Sequence, residues 1–268
     1  MKSVIALANQ KGGVGKTTTT INLAASLCRL GRSVLVIDLD PQANLTSGVG
    51  LKGRPAPGGT VYDVLMAEGA VDVSDFLIPT SVAGLSLVPA DRNLTGAAIE
   101  LVSLLGRELR LRPLVESARD KFDYIFVDTP PSLGLLTLNA LVAVDQVLIP
   151  LTCEYFALEG LAELTSTVQR VRASLNPNLE IGGVLLTMAD SRTNLGRQVA
   201  EEVREYFRDK VFDTVIPRNV RLGEAPSHGL PAIIYDAKSR GAMAYLSLAD
   251  EFLAKETVSD PTRSEDSA

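Results

Sequence analysis

The chain has 268 residues, 46% of them apolar and 22% charged, and carries a net charge of −6. That is enough chain for one large α/β domain or two small ones around a sizeable core. No apolar run reaches the ~18 residues of a membrane span, and the acidic balance excludes a basic surface over the whole protein while allowing a local basic patch.

The N-terminal stretch MKSVIALAN lacks the apolar core and the small-residue cleavage site of a signal peptide, so a cytoplasmic protein is expected. Ser3–Ala8 reads as a first strand and Lys16–Leu30 as the helix after it. Then come a strand over Ser33–Asp38, a Gly/Pro-rich loop over Gly50–Thr60, a strand over Leu85–Ala90 and a helix over Asn93–Arg107. Tyr124–Thr129, Gln146–Leu151, Ile181–Thr187 and Thr214–Pro217 read as further strands. Between and after them lie helices over Leu133–Val142, Leu158–Leu175, Leu195–Phe207 and Gly241–Lys255. The strands are nearly continuous apolar runs, the pattern of strands buried on both faces. Alternation with helices predicts a doubly wound, mostly parallel sheet with helices on both faces. Residues 1–255 are expected to form one domain, and 256–268, with four acids and one arginine, an acidic disordered tail. Cys28 and Cys153 form no CxxC pair and read as packing residues of a reducing compartment.

The string KGGVGKTT, Lys11 to Thr18, lies between a predicted strand and a predicted helix. It is a variant phosphate loop, because the first glycine of GxxxxGK[ST] is replaced by Gln10. Gly12, Gly13, Val14 and Gly15 would aim backbone N–H groups at phosphate oxygens, with Lys16, Thr17 and Thr18 opening the helix whose N-terminus faces the same charge. Lys16 is the candidate for the β/γ-phosphates and the Thr17 hydroxyl for Mg²⁺. Asp128, at the end of an apolar strand, is the candidate carboxylate for the metal. Asp38 and Asp40 end another strand two residues apart and share a face, so one can brace the loop while the other meets the γ-phosphate. This makes Asp40 a further candidate at the metal and the reacting phosphate. Lys11 is one lysine more than a phosphate loop needs.

The blocks KGGVGKTTTTINLAASL, DLDPQANLTSGVG, VDTPPSLGLLTLNAL, CEYFALEGL, LLTMADSRTNLG and VIPRNVRLGEAPSHGLPAIIYDAKSRGA resemble the ParA/Soj chromosome-partitioning ATPases from about residue 3 to 255. The resemblance implies a P-loop ATPase using ATP and Mg²⁺. In it Lys11 reaches across an ATP-bound homodimer to the partner's nucleotide, Gly12 lies where the two backbones meet, and Asp40 orients the attacking water. It also implies adenine contacts at Pro217 and Asn219 beside Met188, and a ParB-type centromere-binding partner.

By the same resemblance Arg192, Arg218, Arg221 and Arg240, with Arg197 nearby, contact double-stranded DNA without reading bases, which would bring the protein to the nucleoid. Residues 217–223 hold two arginines and no acid. No aromatic residues interleave with the arginines, against a single-strand stacking platform. His228 reads as a turn or packing residue. The chain starts at its first strand, so operator binding through an N-terminal helix-turn-helix is not expected. The main alternative is a membrane-associated positioning ATPase like MinD, but that needs a basic amphipathic C-terminus, and this one is acidic. An iron–sulfur reductase needs a cysteine pair at a dimer axis, and a nucleotide-binding scaffold would need neither Asp40 nor Asp128.

Overall fold

A computed structural model describes residues 3–154, 157–189 and 194–259. The strands are β1 (Ser3–Leu7), β2 (Val34–Asp38), β3 (Ile78–Pro79), β4 (Leu85–Val88), β5 (Tyr124–Asp128), β6 (Gln146–Thr152), β7 (Glu180–Ala189) and β8 (Ile216–Pro217). They form one sheet in the order β3-β4-β2-β5-β1-β6-β7-β8. Every pairing is parallel except β3 with β4. The seven expected strands are present. The eighth, β3, is a two-residue antiparallel edge containing Pro79, too short to leave an alternating or apolar signature.

Among the described residues twelve helices flank the sheet: α1 (Lys16–Arg29), α2 (Asn44–Gly48), α3 (Val61–Met66), α4 (Val73–Phe76), α5 (Leu94–Glu100), α6 (Arg112–Ala118), α7 (Leu135–Ala143), α8 (Ala157–Ser174), α9 (Asn194–Phe207), α10 (Val220–Glu224), α11 (Ala232–Tyr235) and α12 (Arg240–Ser259). Successive strand residues face opposite layers. Ile5 and Leu7 of β1 pack with Leu23 and Leu27 of α1, Tyr245 of α12 and Ala232 of α11. Val4 and Ala6 pack on the other face with residues of α3 to α9. Burial on both sides is why the strands lack polar alternation.

Two boundaries differ from expectation. The helix expected over Asn93–Arg107 stops at Glu100 and tightens into a 3-10 turn over Leu101–Ser103. Leu101 is buried there, but Ile99, Val102 and Leu105 are exposed, so the apolar spacing does not mark one inward face. Helix α12 runs on to Ser259, four residues into the expected tail, and residues 260–268 lie outside the described ones.

β1 sits where the winding reverses, with β2 to β5 on one side and β6 to β8 on the other. A crevice outside the carboxyl ends of the strands at such a point is the usual ligand site of a doubly wound sheet.

Candidate nucleotide site

The loop after β1 fills that crevice. Gly13 and Gly15 have φ of 74° and 92°, the left-handed conformation that glycine adopts without a Cβ penalty. Gly15 is the N-cap of α1 and offers no side-chain cap, so the first N–H groups of the helix stay available to a ligand. A methyl group at Gly12 would meet only Pro131, at 3.7 Å, and Gly12 is not in the left-handed region. Nothing among the described residues therefore demands glycine at position 12.

Lys16 is 7% exposed, and its ammonium donates to the carbonyls of Asn9 (3.0 Å) and Lys11 (3.4 Å) across the loop. Burial pushes this lysine below its ordinary range, while Asp128 and Asp40 pull the other way. The Thr17 hydroxyl donates to Asp128 Oδ2 at 2.6 Å, and Thr20 reaches Asp128 Oδ1 at 3.3 Å. Asp38 and Asp128 are direct neighbours across the β2–β5 ladder, and both are fully buried. Burial raises both carboxyls, and for Asp128 the charge of Asp38 adds to it. Two buried carboxylates beside one lysine leave room for further positive charge. Thr17 and Asp128 offer only oxygen donors, the set that fits a hard cation such as Mg²⁺.

The two acids at the end of β2 divide the labour. Asp38 accepts from Asp40 N–H (3.2 Å) and from both the N–H (2.8 Å) and the hydroxyl (2.7 Å) of Thr46 in α2. The Thr46 oxygen in turn accepts from Ala90 N–H at 3.0 Å. Asp38 is thus the brace. Among the described residues, Asp40 Oδ1 accepts only from Gln42 N–H (2.9 Å).

Lys11 is held in its own chain: its ammonium sits 2.5 Å from Glu154, just past β6. Glu154, Thr20 and Thr46 were not singled out from the sequence. Their roles depend on contacts with residues 8 to 143 positions away, which no local pattern reports.

The expected adenine residues come together at the far edge. Pro217 pairs with Ala189, next to Met188, which has φ 50° at a register shift in β7. The Asn219 side chain caps α10 by accepting from Arg221 N–H at 2.9 Å.

The arginines are less uniform than expected. Arg218 and Arg240 are exposed, whereas Arg192 lies outside the described residues. Arg221 is not a free cation: it binds Glu224 (2.7 Å) and Asp236 (3.3 Å). The acid-free window of 217–223 misled, because Glu224 is one helical turn on and Asp236 comes from beyond α11. His228 stacks on Tyr235 with centroids 4.8 Å apart, a packing contact. Cys28 and Cys153 are half-buried free thiols.

The AAA domain family matches residues 2–181. The sporulation initiation inhibitor protein Soj of Bacillus subtilis is 56% identical to this chain, covering 95% of it and 99% of the relative. The chromosome partitioning protein ParA of Myxococcus xanthus is 52% identical, covering 97% and 91%. A crystal structure described as cobyrinic acid a,c-diamide synthase from Mycobacterium smegmatis, with bound ATP analog and magnesium, superposes with a TM-score of 0.82 at 37% identity, covering 97% of this chain and 98% of that one. The chain belongs to the Soj/ParA family of chromosome-partitioning ATPases.

Proposed function

We propose that the protein is an ATP-dependent switch for chromosome or plasmid segregation, in which ATP joins two copies face to face and the pair holds DNA without sequence preference. The observation that carries this reading is the loop itself. Lys16, Thr17, Asp128 and Asp40 lie together at the loop, which supports a phosphate site there, and the Lys11 ammonium is left over, tied among the described residues to a half-exposed Glu154.

In this reading the N–H groups of Gly12, Gly13, Val14, Gly15, Lys16, Thr17 and Thr18 cradle the phosphates, and Thr17 and Asp128 hold Mg²⁺, directly or through water. Mg²⁺ held there would supply positive charge against the phosphate oxygens. Lys16 leaves the Asn9 and Lys11 carbonyls for the β/γ-phosphates. Lys11 leaves Glu154 for the phosphates held by the other copy, so two ATP molecules are neutralised from both sides and ADP holds the pair less well. Asp40, fixed by its backbone to Asp38 and with one carboxylate oxygen lightly engaged, orients the attacking water. Pro217, Asn219 and Met188 would flank the adenine. Hydrolysis, stimulated by a ParB-type partner, releases the DNA. Residues 1–255 act as one domain, in the cytoplasm and on the nucleoid.

The test is size and duplex binding measured with ATP, with ADP and without nucleotide, for wild type and Gly12→Val. The expected result is a DNA-binding dimer in ATP alone, and a folded monomeric variant that still binds nucleotide. A dimer of the variant in ATP would remove Gly12 from the contact, and equal DNA binding in all three conditions would sink the switch.

A further inference from the structure

On the face of the sheet away from α1, helices α8 and α9 enclose a groove of about 400 Å³. Its apolar wall is Leu158, Leu161 and Ala162 of α8 against Val203, Tyr206 and Phe207 of α9. Tyr206 is 72% exposed, although its ring meets Phe207 edge-on at 4.8 Å. A large aromatic ring left in water beside an apolar groove is the usual mark of an interaction surface.

The one charged residue of the lining is acidic, and acids outnumber bases beside it: four glutamates stand against Arg170, Arg204 and Arg208, which flank the groove. Glu202 lines the groove, and Glu205 is one turn along α9 beside Tyr206. On α8, Glu159 and Glu163 lie one turn apart, next to Leu158 and Ala162. All four are exposed, and among the described residues none of them forms an ion pair. Arg170, near the far end, is engaged with Thr167 at 3.0 Å. From Leu158 to Gln169 the groove follows three turns of α8, about 16 Å at the helical rise, which an apolar stripe at i, i+3, i+4 and i+7 would cover.

We infer that the α8–α9 groove docks a basic amphipathic helical segment of a partner protein, its apolar stripe over Leu158 and Tyr206 and its lysines or arginines against Glu159, Glu163, Glu202 and Glu205. The four exposed carboxylates disfavour nucleic acid over a basic peptide. The surface is separate from the arginines of α10 and α12.

The probe is a fluorescein-labelled 18-residue helix with leucines in that stripe and lysines elsewhere, titrated against the full chain by anisotropy. Charge reversal by Glu202→Lys with Glu205→Lys is expected to weaken binding about tenfold or more, and the loss shrinks at high salt. Tyr206→Ser is expected to weaken it several-fold at any salt, because the ring contributes area rather than charge. Glu116→Lys, an exposed acid on α6 outside the groove, is expected to change nothing. The proposal is overturned if wild type and groove variants bind alike, if Glu116→Lys costs as much as the groove reversal, or if a glutamate version of the helix binds as well. It is also overturned if wild type self-associates without the probe and Tyr206→Ser abolishes that association, which would assign the groove to a second copy.

Discussion

The carboxylate of Asp38 accepts both the backbone N–H and the hydroxyl of Thr46, at 2.8 and 2.7 Å, and so fastens α2 to the end of β2. Asp40 hangs from the same residue by its own N–H. Fully buried and so engaged, Asp38 is placed to position Asp40 rather than to meet a ligand itself.

Asp38→Ala leaves the buried N–H and hydroxyl of Thr46 unpaired, at a cost of about 1–3 kcal/mol for each group left unsatisfied. The strap from Asp40 to Thr46 loses its anchor. Turnover is expected to fall about tenfold or more while the KM for ATP changes little, because the cradle of residues 12–18 is untouched. Asp38→Asn keeps one acceptor oxygen and is expected to recover part of the loss. Steady-state ATPase kinetics with thermal denaturation check this. Wild-type turnover in Asp38→Ala would show that Asp40 holds its place unaided.

Lys11 and Glu154 make the second informative pair. Their side chains are 37% and 53% exposed, so the pair contributes at most about 1 kcal/mol to folding. Lys11→Ala is expected to keep wild-type stability and lose ATP-dependent dimerisation and hydrolysis together. Glu154→Gln removes the competitor for the lysine and is expected to raise the dimer fraction at a given ATP concentration. Sedimentation across an ATP series separates the two. A normal ATP dimer of Lys11→Ala would leave the lysine no cross-subunit role.

Much of this was legible in the sequence because it is local. The phosphate loop is eight consecutive residues, and each buried strand announces itself within one apolar run. Asp128 was found because it ends such a run. What stayed hidden depends on distance along the chain. Glu154 meets Lys11 across 143 positions, and Arg221 meets Asp236 around α11. The five-residue helices α2 and α10 escaped because one turn and a half carries no period. The helix over 93–107 was overextended because leucines at the right spacing there face water as well as core.

The Cys28 thiol is pushed up to about 12 by burial, against an ordinary 9.0. An acid whose folded pKa is raised favours the folded state fully below the ordinary value and loses that contribution as pH climbs from 9 towards 12. At pH 8 the Cys28 thiolate is therefore far scarcer than that of a free cysteine. Burial raises Cys153 too, with Arg204 pulling down. Iodoacetamide at pH 8 is therefore expected to alkylate Cys153 well before Cys28 in the native chain, and both alike in denaturant. Mass spectrometry of timed digests checks it. Equal native rates would mean that Cys28 is reached by opening of the fold around α1.

The arginine surface yields the last prediction. Arg218 and Arg240 face solvent, but Arg221 shares its charge with Glu224 and Asp236. In the proposed switch, DNA would have to compete with those two carboxylates for the guanidinium, so the net gain per contact would be smaller than for a free arginine. Each phosphate neutralised contributes about 0.9 to the slope of log affinity against log salt. With two or three contacts per copy, a monomer would show a slope of roughly 2–3 and an ATP dimer about twice that. Arg218→Glu with Arg221→Glu is expected to abolish duplex binding and leave ATP-dependent dimerisation intact. Glu224→Gln with Asp236→Asn acts in the opposite direction: it frees Arg221, removes two local negative charges, and is expected to tighten duplex binding several-fold at low salt. A salt titration of all three proteins with ATP and with ADP decides. If neutralising Glu224 and Asp236 leaves affinity unchanged, Arg221 does not touch DNA. If the double arginine reversal binds like wild type, the DNA surface lies elsewhere.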